Sequence, residues 1–186
     1  MFLICGLGNP GIKYVNTRHN VGFQLIDKLI IKYNFESYKK DKIKEIFKGY
    51  IGKHKCLLIK PLTFMNLSGI AIKEVLDFYK IKKNYLYVIH DDLDLKTAKI
   101  KIKVGGGNGG HNGLESIDEI IGKNYNRLRI GIDHPGSKDL VSKYVLSKFL
   151  KNEIIIIENK LLIIVEFFQL ALEDTNLFLT RITEKK

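Results

Sequence analysis

The chain of 186 residues is long enough for one domain with a substantial buried core. Its 45% hydrophobic and 27% charged residues are those of a globular protein, which excludes a fibrous or disordered chain. Lys and Arg number 31 against 20 Asp and Glu; the resulting charge of +11 suits an anionic partner, although lysines spread along the whole chain also fit an ordinary solvated surface.

Residues 2–6 form a short apolar run ending in glycines and predict a buried strand. No basic stretch precedes this run and it is too short for a signal peptide, so the protein is expected in the cytoplasm. Over 21–33, Phe23, Ile26, Leu29, Ile30 and Tyr33 recur at helical spacing. Residues 46–51 and 56–59, separated by Gly52-Lys53-His54, predict a hairpin. A helix is expected over 66–79, with Asn66 or Ser68 as its N-cap. The apolar strand 85–89 runs into the acidic cluster Asp91-Asp92-Leu93-Asp94, and 98–104 alternates lysine with apolar residues, as a strand with one wet face does. A glycine-rich loop follows, then a helix over 112–121, whose free N-terminus would aim exposed N–H groups at whatever lies there. Residues 128–132 predict a last strand, and the remainder is helical. The most apolar stretch, 154–172, contains Glu158, Lys160, Glu166 and Gln169; it predicts a buried helix and no membrane span. Cys5 and Cys56 sit in separate apolar runs and are expected to be reduced core residues. Strands and helices alternate without repeat or linker. The expected fold is α/β, a single domain over 1–186 built on a mixed twisted β-sheet with helices on both faces.

Two glycine motifs invite a cofactor reading that their context does not support. Gly6-Leu7-Gly8-Asn9-Pro10-Gly11 matches a dinucleotide-binding turn. However, Pro10 and Lys13-Tyr14 delay any helix, and the next strand ends at Ile51-Gly52-Lys53 without a ribose-binding carboxylate. The loop Gly105-Gly106-Gly107-Asn108-Gly109-Gly110 has no following Lys-Ser or Lys-Thr and is not a P-loop. A metal was weighed for His90, Asp91, Asp92 and Asp94 with His111 and His134; no pair has helical ligand spacing, and His90 and Asp91 alternate faces at a strand end. No metal and no cofactor are expected.

Four segments carry polar residues that a plain core or turn does not need. They are Gly8 to Gly11 with Tyr14 and Thr17-Arg18-His19-Asn20; Lys60 to Gly69; His90 to Asp94; and the glycine loop closing on His111-Asn112-Gly113-Leu114. Only four basic residues are arginine (Arg18, Arg127, Arg129 and Arg181), and three of these fall in or beside such segments, as residues chosen for a planar fork would.

Together these blocks resemble the bacterial-type peptidyl-tRNA hydrolase family, from Cys5-Gly6-Leu7-Gly8-Asn9-Pro10-Gly11 to Arg127-Leu128-Arg129-Ile130-Gly131-Ile132-Asp133-His134-Pro135-Gly136. The resemblance implies hydrolysis of the ester between a peptide and tRNA by a monomeric, metal-free enzyme that frees tRNA for translation. It assigns the general base to His19 and the carboxylate that orients it to Asp91. An imidazole can take a proton from water while a carboxylate fixes its tautomer, and such a base contributes about 10²–10⁴-fold in rate. The resemblance also assigns Asn9, Asn66 and Asn112 to the site: Asn9 to distinguish blocked from free aminoacyl groups, Asn66 to the scissile carbonyl or the water. A helix N-cap is the plain alternative for both Asn66 and Asn112. Tyr14, Phe64, Met65 and His111 are implied to line the substrate cleft, although on pattern alone Phe64 and Met65 read as core. Lys103 and Arg129 are implied to meet tRNA phosphate at the cleft rim. His19 and Asp91 are expected within hydrogen-bond reach on the cleft floor.

Overall fold

The structure is a computed structural model that describes residues 1–185. One mixed sheet holds strands β1 (Phe2–Gly6), β2 (Glu36–Lys40), β3 (Lys44–Ile51), β4 (His54–Pro61), β5 (Leu86–Asp92), β6 (Ile100–Val104) and β7 (Asn126–Gly131), in the order β2-β3-β4-β1-β5-β7-β6. β1 pairs in parallel with β4 and β5, and β5 in parallel with β7. The outer strands β2, β3 and β6 run antiparallel to their neighbours. The helices are α1 (Val21–Tyr33), α2 (Ser68–Tyr79), α3 (Asn112–Ile121), α4 (Val141–Val145), α5 (Lys151–Glu173) and α6 (Thr175–Glu184).

Side chains alternate across the central strands and so feed two cores. Ile4 joins α1, α5 and α6 on one face; Leu3, Cys5 and Leu7 join α2 and α3 on the other. This is the α/β layering expected from the alternating elements, and both cysteines are buried free thiols within it.

Three elements differ from expectation. β2 was not foreseen because all five of its residues are exposed, leaving no apolar alternation to read; it exists by pairing with β3, with a register shift between Ser37 and Lys39. α5 is amphipathic and not buried all round: Ile157, Leu161, Ile164, Val165, Phe168 and Ala171 face the core, while Ile155, Ile156 and Leu162 are exposed. α2 begins at Ser68, and Asn66 lies in a 3-10 turn before it without capping the helix. Among the described residues no helix is long and apolar enough to cross a membrane.

A glycine contact sets how deeply α1 sits. A Cβ on Gly22 would lie 2.5 Å from Leu7 N and O and 2.6 Å from Ile89 O, so this first turn of α1 rests directly on the backbones of β1 and β5. The 3-10 turn Arg18–Asn20 is pressed in beside it. Gly22→Ala is therefore expected to destabilise the protein by about 1–3 kcal/mol in denaturant melts, the range for overpacking a rigid contact. An unchanged midpoint would mean that α1 can lift off the sheet freely.

Candidate active site

The C-terminal ends of β1, β4 and β5 open into a cleft of about 630 Å³. β1 sits between the two other strands, and such a switch point is where open α/β sheets leave a crevice. Buried Asp91, at the end of β5, forms its floor. His19 comes from the turn held down by Gly22, and its Nδ1 lies 2.9 Å from both Asp91 oxygens. That contact leaves Nε2 as the ring nitrogen available to the cleft. Burial alone would lower the His19 pKa, but the charge and hydrogen bonding of Asp91 outweigh it and hold the imidazole above its usual value. Asp91 is buried too, which favours its neutral form; the two neighbouring histidines overcome this and hold the carboxyl well below the usual range.

The second of those histidines, His111, approaches from the opposite side. Its Nδ1 accepts the N–H groups of Gly113 and Leu114 at 3.1 and 3.3 Å, so it serves as the N-cap of α3. An accepting Nδ1 leaves the proton on Nε2, which donates to Asp91 Oδ1 at 3.0 Å. The start of α3 is thus already capped, and its first amides are not free to receive a ligand. His90 Nδ1 donates to the backbone oxygen of Asp91 at 2.7 Å; burial first, and His111 second, pull its pKa down to about 3.

His19, Asp91 and His111 offer possible metal-ligand atoms within 4.8 Å of one another. The donor set fits an ion poorly. With Nδ1 of His111 facing two N–H donors, ligation through Nε2 would require the ring to lose both protons.

Asn9 is placed with equal definition. Its Oδ1 accepts the Met65 N–H at 2.9 Å, so the Nδ2 amino group remains for the cleft. Asn20, which the sequence marked only as the end of the Thr17–Asn20 segment, grips the Asn9 backbone at both ends: its Oδ1 accepts from Asn9 N at 2.8 Å and its Nδ2 donates to Asn9 O at 2.9 Å. Asn66 and Asn112 are exposed and line the same cleft with Phe64, Met65 and His111. Met65 is also part of the core, whereas Phe64 stands out at the lip.

Tyr14 stands outside the cleft, partly buried, with Lys13 Nζ 4.8 Å above its ring. Lys103 and Arg129 do not rim the main cleft. They line a smaller adjoining hollow that shares His90, Asp92, Asp94, Asn108 and Gly109 with it. The cause is topological. β6 runs antiparallel to β7 and ends at the far edge of the sheet, so the glycine loop must travel back to the site, and Lys103 lies before that return. Left-handed backbone at Gly105, Gly106, Gly109 and Gly110 lets the loop make the journey.

The arginines hold structure. Arg127 is fully buried, donating to Asp118 at 2.7 Å and to Gly107 O of the glycine loop at 2.9 Å. Arg129 donates through Nε to Asp92 at 2.6 Å. Arg18 joins the turn of His19 to the far wall of the cleft: it bonds Ser147 Oγ, Lys148 O and Glu153 at 2.6, 2.8 and 2.5 Å, and stacks 4.1 Å over Tyr144.

A family model described as peptidyl-tRNA hydrolase matches residues 3–186. A peptidyl-tRNA hydrolase of Rickettsia canadensis is 47% identical over 175 residues, covering 94% of this chain and 95% of the relative. One of Rhizobium rhizogenes is 52% identical over 151 residues, covering 81% of this chain and 63% of its own length; the chain thus spans less than two thirds of that relative. The crystal structure of peptidyl-tRNA hydrolase from Acinetobacter baumannii superposes with a TM-score of 0.94 at 38% identity, covering 100% of this chain and 96% of that one.

The contacts of His19 have a direct spectroscopic consequence. Followed by NMR, its imidazole is expected to titrate above about pH 6.5, the ordinary value. In Asp91→Asn the lowering effect of burial remains while the carboxylate charge is gone, so the midpoint should fall below that value. A midpoint that stays in place would mean that Asp91 does not set the charge of His19.

Proposed function

The chain belongs to the peptidyl-tRNA hydrolase family, and we propose that it hydrolyses the ester joining a peptide, or an N-blocked amino acid, to tRNA, with His19 as general base. The carrying observation is the buried His19–Asp91 contact, which commits Nδ1 and leaves Nε2 facing the cleft. Nε2 takes a proton from water as the water oxygen bonds to the ester carbonyl carbon. The carbon–oxygen bond to the ribose then breaks, and the ribose oxygen recovers the proton from His19. The products are a peptide carboxylic acid, which gives up its remaining proton to solvent as a carboxylate, and the free hydroxyl of tRNA. Asp91 stabilises the imidazolium formed between these steps and fixes its orientation.

Asn9 presents only N–H donors to the cleft, because its oxygen is engaged by Met65. A donor there donates to the carbonyl oxygen of a peptide or an acetyl group and has nothing to offer a free α-ammonium, which is itself only a donor. Asn9 thereby selects blocked substrates. Asn66 and Asn112 supply neutral amides beside the reacting carbonyl and the water, and one well-placed donor to an oxyanion is worth roughly 3–4 kcal/mol. Lys103 and the unengaged end of the Arg129 guanidinium meet tRNA phosphate in the adjoining hollow. The enzyme acts as a monomer in the cytoplasm, with no metal or cofactor in the reaction.

His19→Ala is expected to lose about 10²–10⁴-fold in kcat on N-acetyl-aminoacyl-tRNA, with wild-type turnover unchanged by EDTA. Full activity in the variant would sink the mechanism, and tight, salt-dependent tRNA binding without any wild-type turnover would point to a binding module. For Lys103→Ala, affinity for different tRNAs should fall evenly. The slope of log affinity against log salt should also drop by about one, as loss of one phosphate contact requires.

A further inference from the structure

The two arms of the proposed substrate leave the ester in different directions. The phosphate hollow lies on the β7–β6 side of the cleft, which leaves the β4–β3–β2 side open to the peptide. An uncovered apolar row begins there. Phe64 lines the cleft at 59% exposure, and Leu67 (45%), Ile70 (40%) and Phe78 (77%) follow it. Leu67, in the turn before α2, and Ile70, Glu74 and Phe78 on it are three or four apart and so share one stripe, away from the buried Ile72, Val75 and Leu76; Glu74, paired with Lys44, is the charged position within it. Between Leu67 and Phe78 the stripe is about 16 Å long, matching roughly five residues of extended chain.

The stripe ends at a second hollow, of about 440 Å³, between α2 and the outer strands. Its aromatic wall is built from Phe78, packed edge-on to Tyr79 at 4.8 Å, and from Tyr38, whose ring lies 6.5 Å from that of Tyr79. Ile46 and Val75 give it an apolar floor, with Lys39 and Glu74 among the polar residues that line it. A largely apolar path that starts at Phe64 on the cleft lip and is crossed by the Glu74–Lys44 ion pair has the form of a binding surface.

We propose that the stripe and hollow form an extended site for the peptide of the substrate, in which the aromatic wall holds an apolar side chain more than about five residues from the ester, since the span from Leu67 alone takes that many. This rests on the function proposed above and adds a dependence on peptide length. The test compares N-acetyl-aminoacyl-tRNA with a decapeptidyl-tRNA of apolar sequence, using wild type, Ile70→Ser and Phe78→Ser. Both replaced side chains are substantially exposed and make no part of the catalytic contacts, so the variants retain the fold.

The expected result is a KM for the decapeptidyl substrate raised about tenfold in Phe78→Ser, as loss of one aromatic contact implies, and an unchanged KM for the acetyl substrate. Equal kinetics of wild type and both variants on the long substrate would overturn the extended site while leaving the catalytic reading standing. Failure of the wild type to hydrolyse either substrate would remove both. Sedimentation showing a wild-type dimer that Phe78→Ser dissolves would assign the stripe to a second copy of the chain and would likewise overturn the proposal.

Discussion

The structure turns on one buried carboxylate. Asp91 lies at a strand end with almost no access to water, and an unpaired charge there would cost several kcal/mol. Two imidazoles remove that cost, one from each side, and each is delivered by a different element. The close rest of Gly22 on β1 and β5 brings in His19, and the return of the glycine loop brings in His111. The backbone geometry of three segments therefore answers to a single charge. What that charge leaves is an imidazole with one committed nitrogen and one available nitrogen.

Around this centre the chemistry is sorted by polarity. The reacting end of the cleft carries neutral amides, Asn9, Asn66 and Asn112, whose dipoles can hold a carbonyl without competing with Asp91 for the protons of His19. Lys103 and Arg129 lie in the adjoining hollow, whose lining shares Asp92 and Asp94 with the cleft, while Lys138 is the lysine that lines the cleft itself. The arginines serve mainly as interior struts. Arg18 fixes the wall opposite His19 and Arg127 fixes the glycine loop, each using the planar fork that a lysine lacks.

Much of this was legible in the sequence because the central elements follow simple periods. Residues 21–33 and 112–121 are helices with the bounds their apolar spacing implies, and the central strands are continuous apolar runs ending in polar residues at the cleft. Elements defined by partners were not legible. β2 has no buried face of its own, and α5 hides its exposed isoleucines within a composition that looks uniformly apolar. The four polar segments converge on one cleft, but not every residue singled out in them lines it. Tyr14 sits close in sequence to His19 yet faces elsewhere, and Lys103 is removed from the main cleft by the direction of β6, which no local pattern encodes. Asn20 was marked as part of a polar segment but given no role, because the bond of its amide to the Asn9 backbone depends on the folded loop and not on spacing. The His111 cap was missed for a similar reason: histidine caps only through an unprotonated nitrogen, a condition set by Asp91 across the cleft.

That cap has a thermal consequence. The ring that closes the first turn of α3 is the same ring that steadies Asp91, so the helix cannot fray without withdrawing a donor from a buried charge. Nor can the carboxylate be disturbed without loosening the helix. Helix ends are ordinarily among the first parts of a protein to open; here that opening is tied to the cost of exposing Asp91. On warming, the first turn of α3 and the pairing of Asp91 should therefore loosen together, since neither can open while the other keeps the His111 ring.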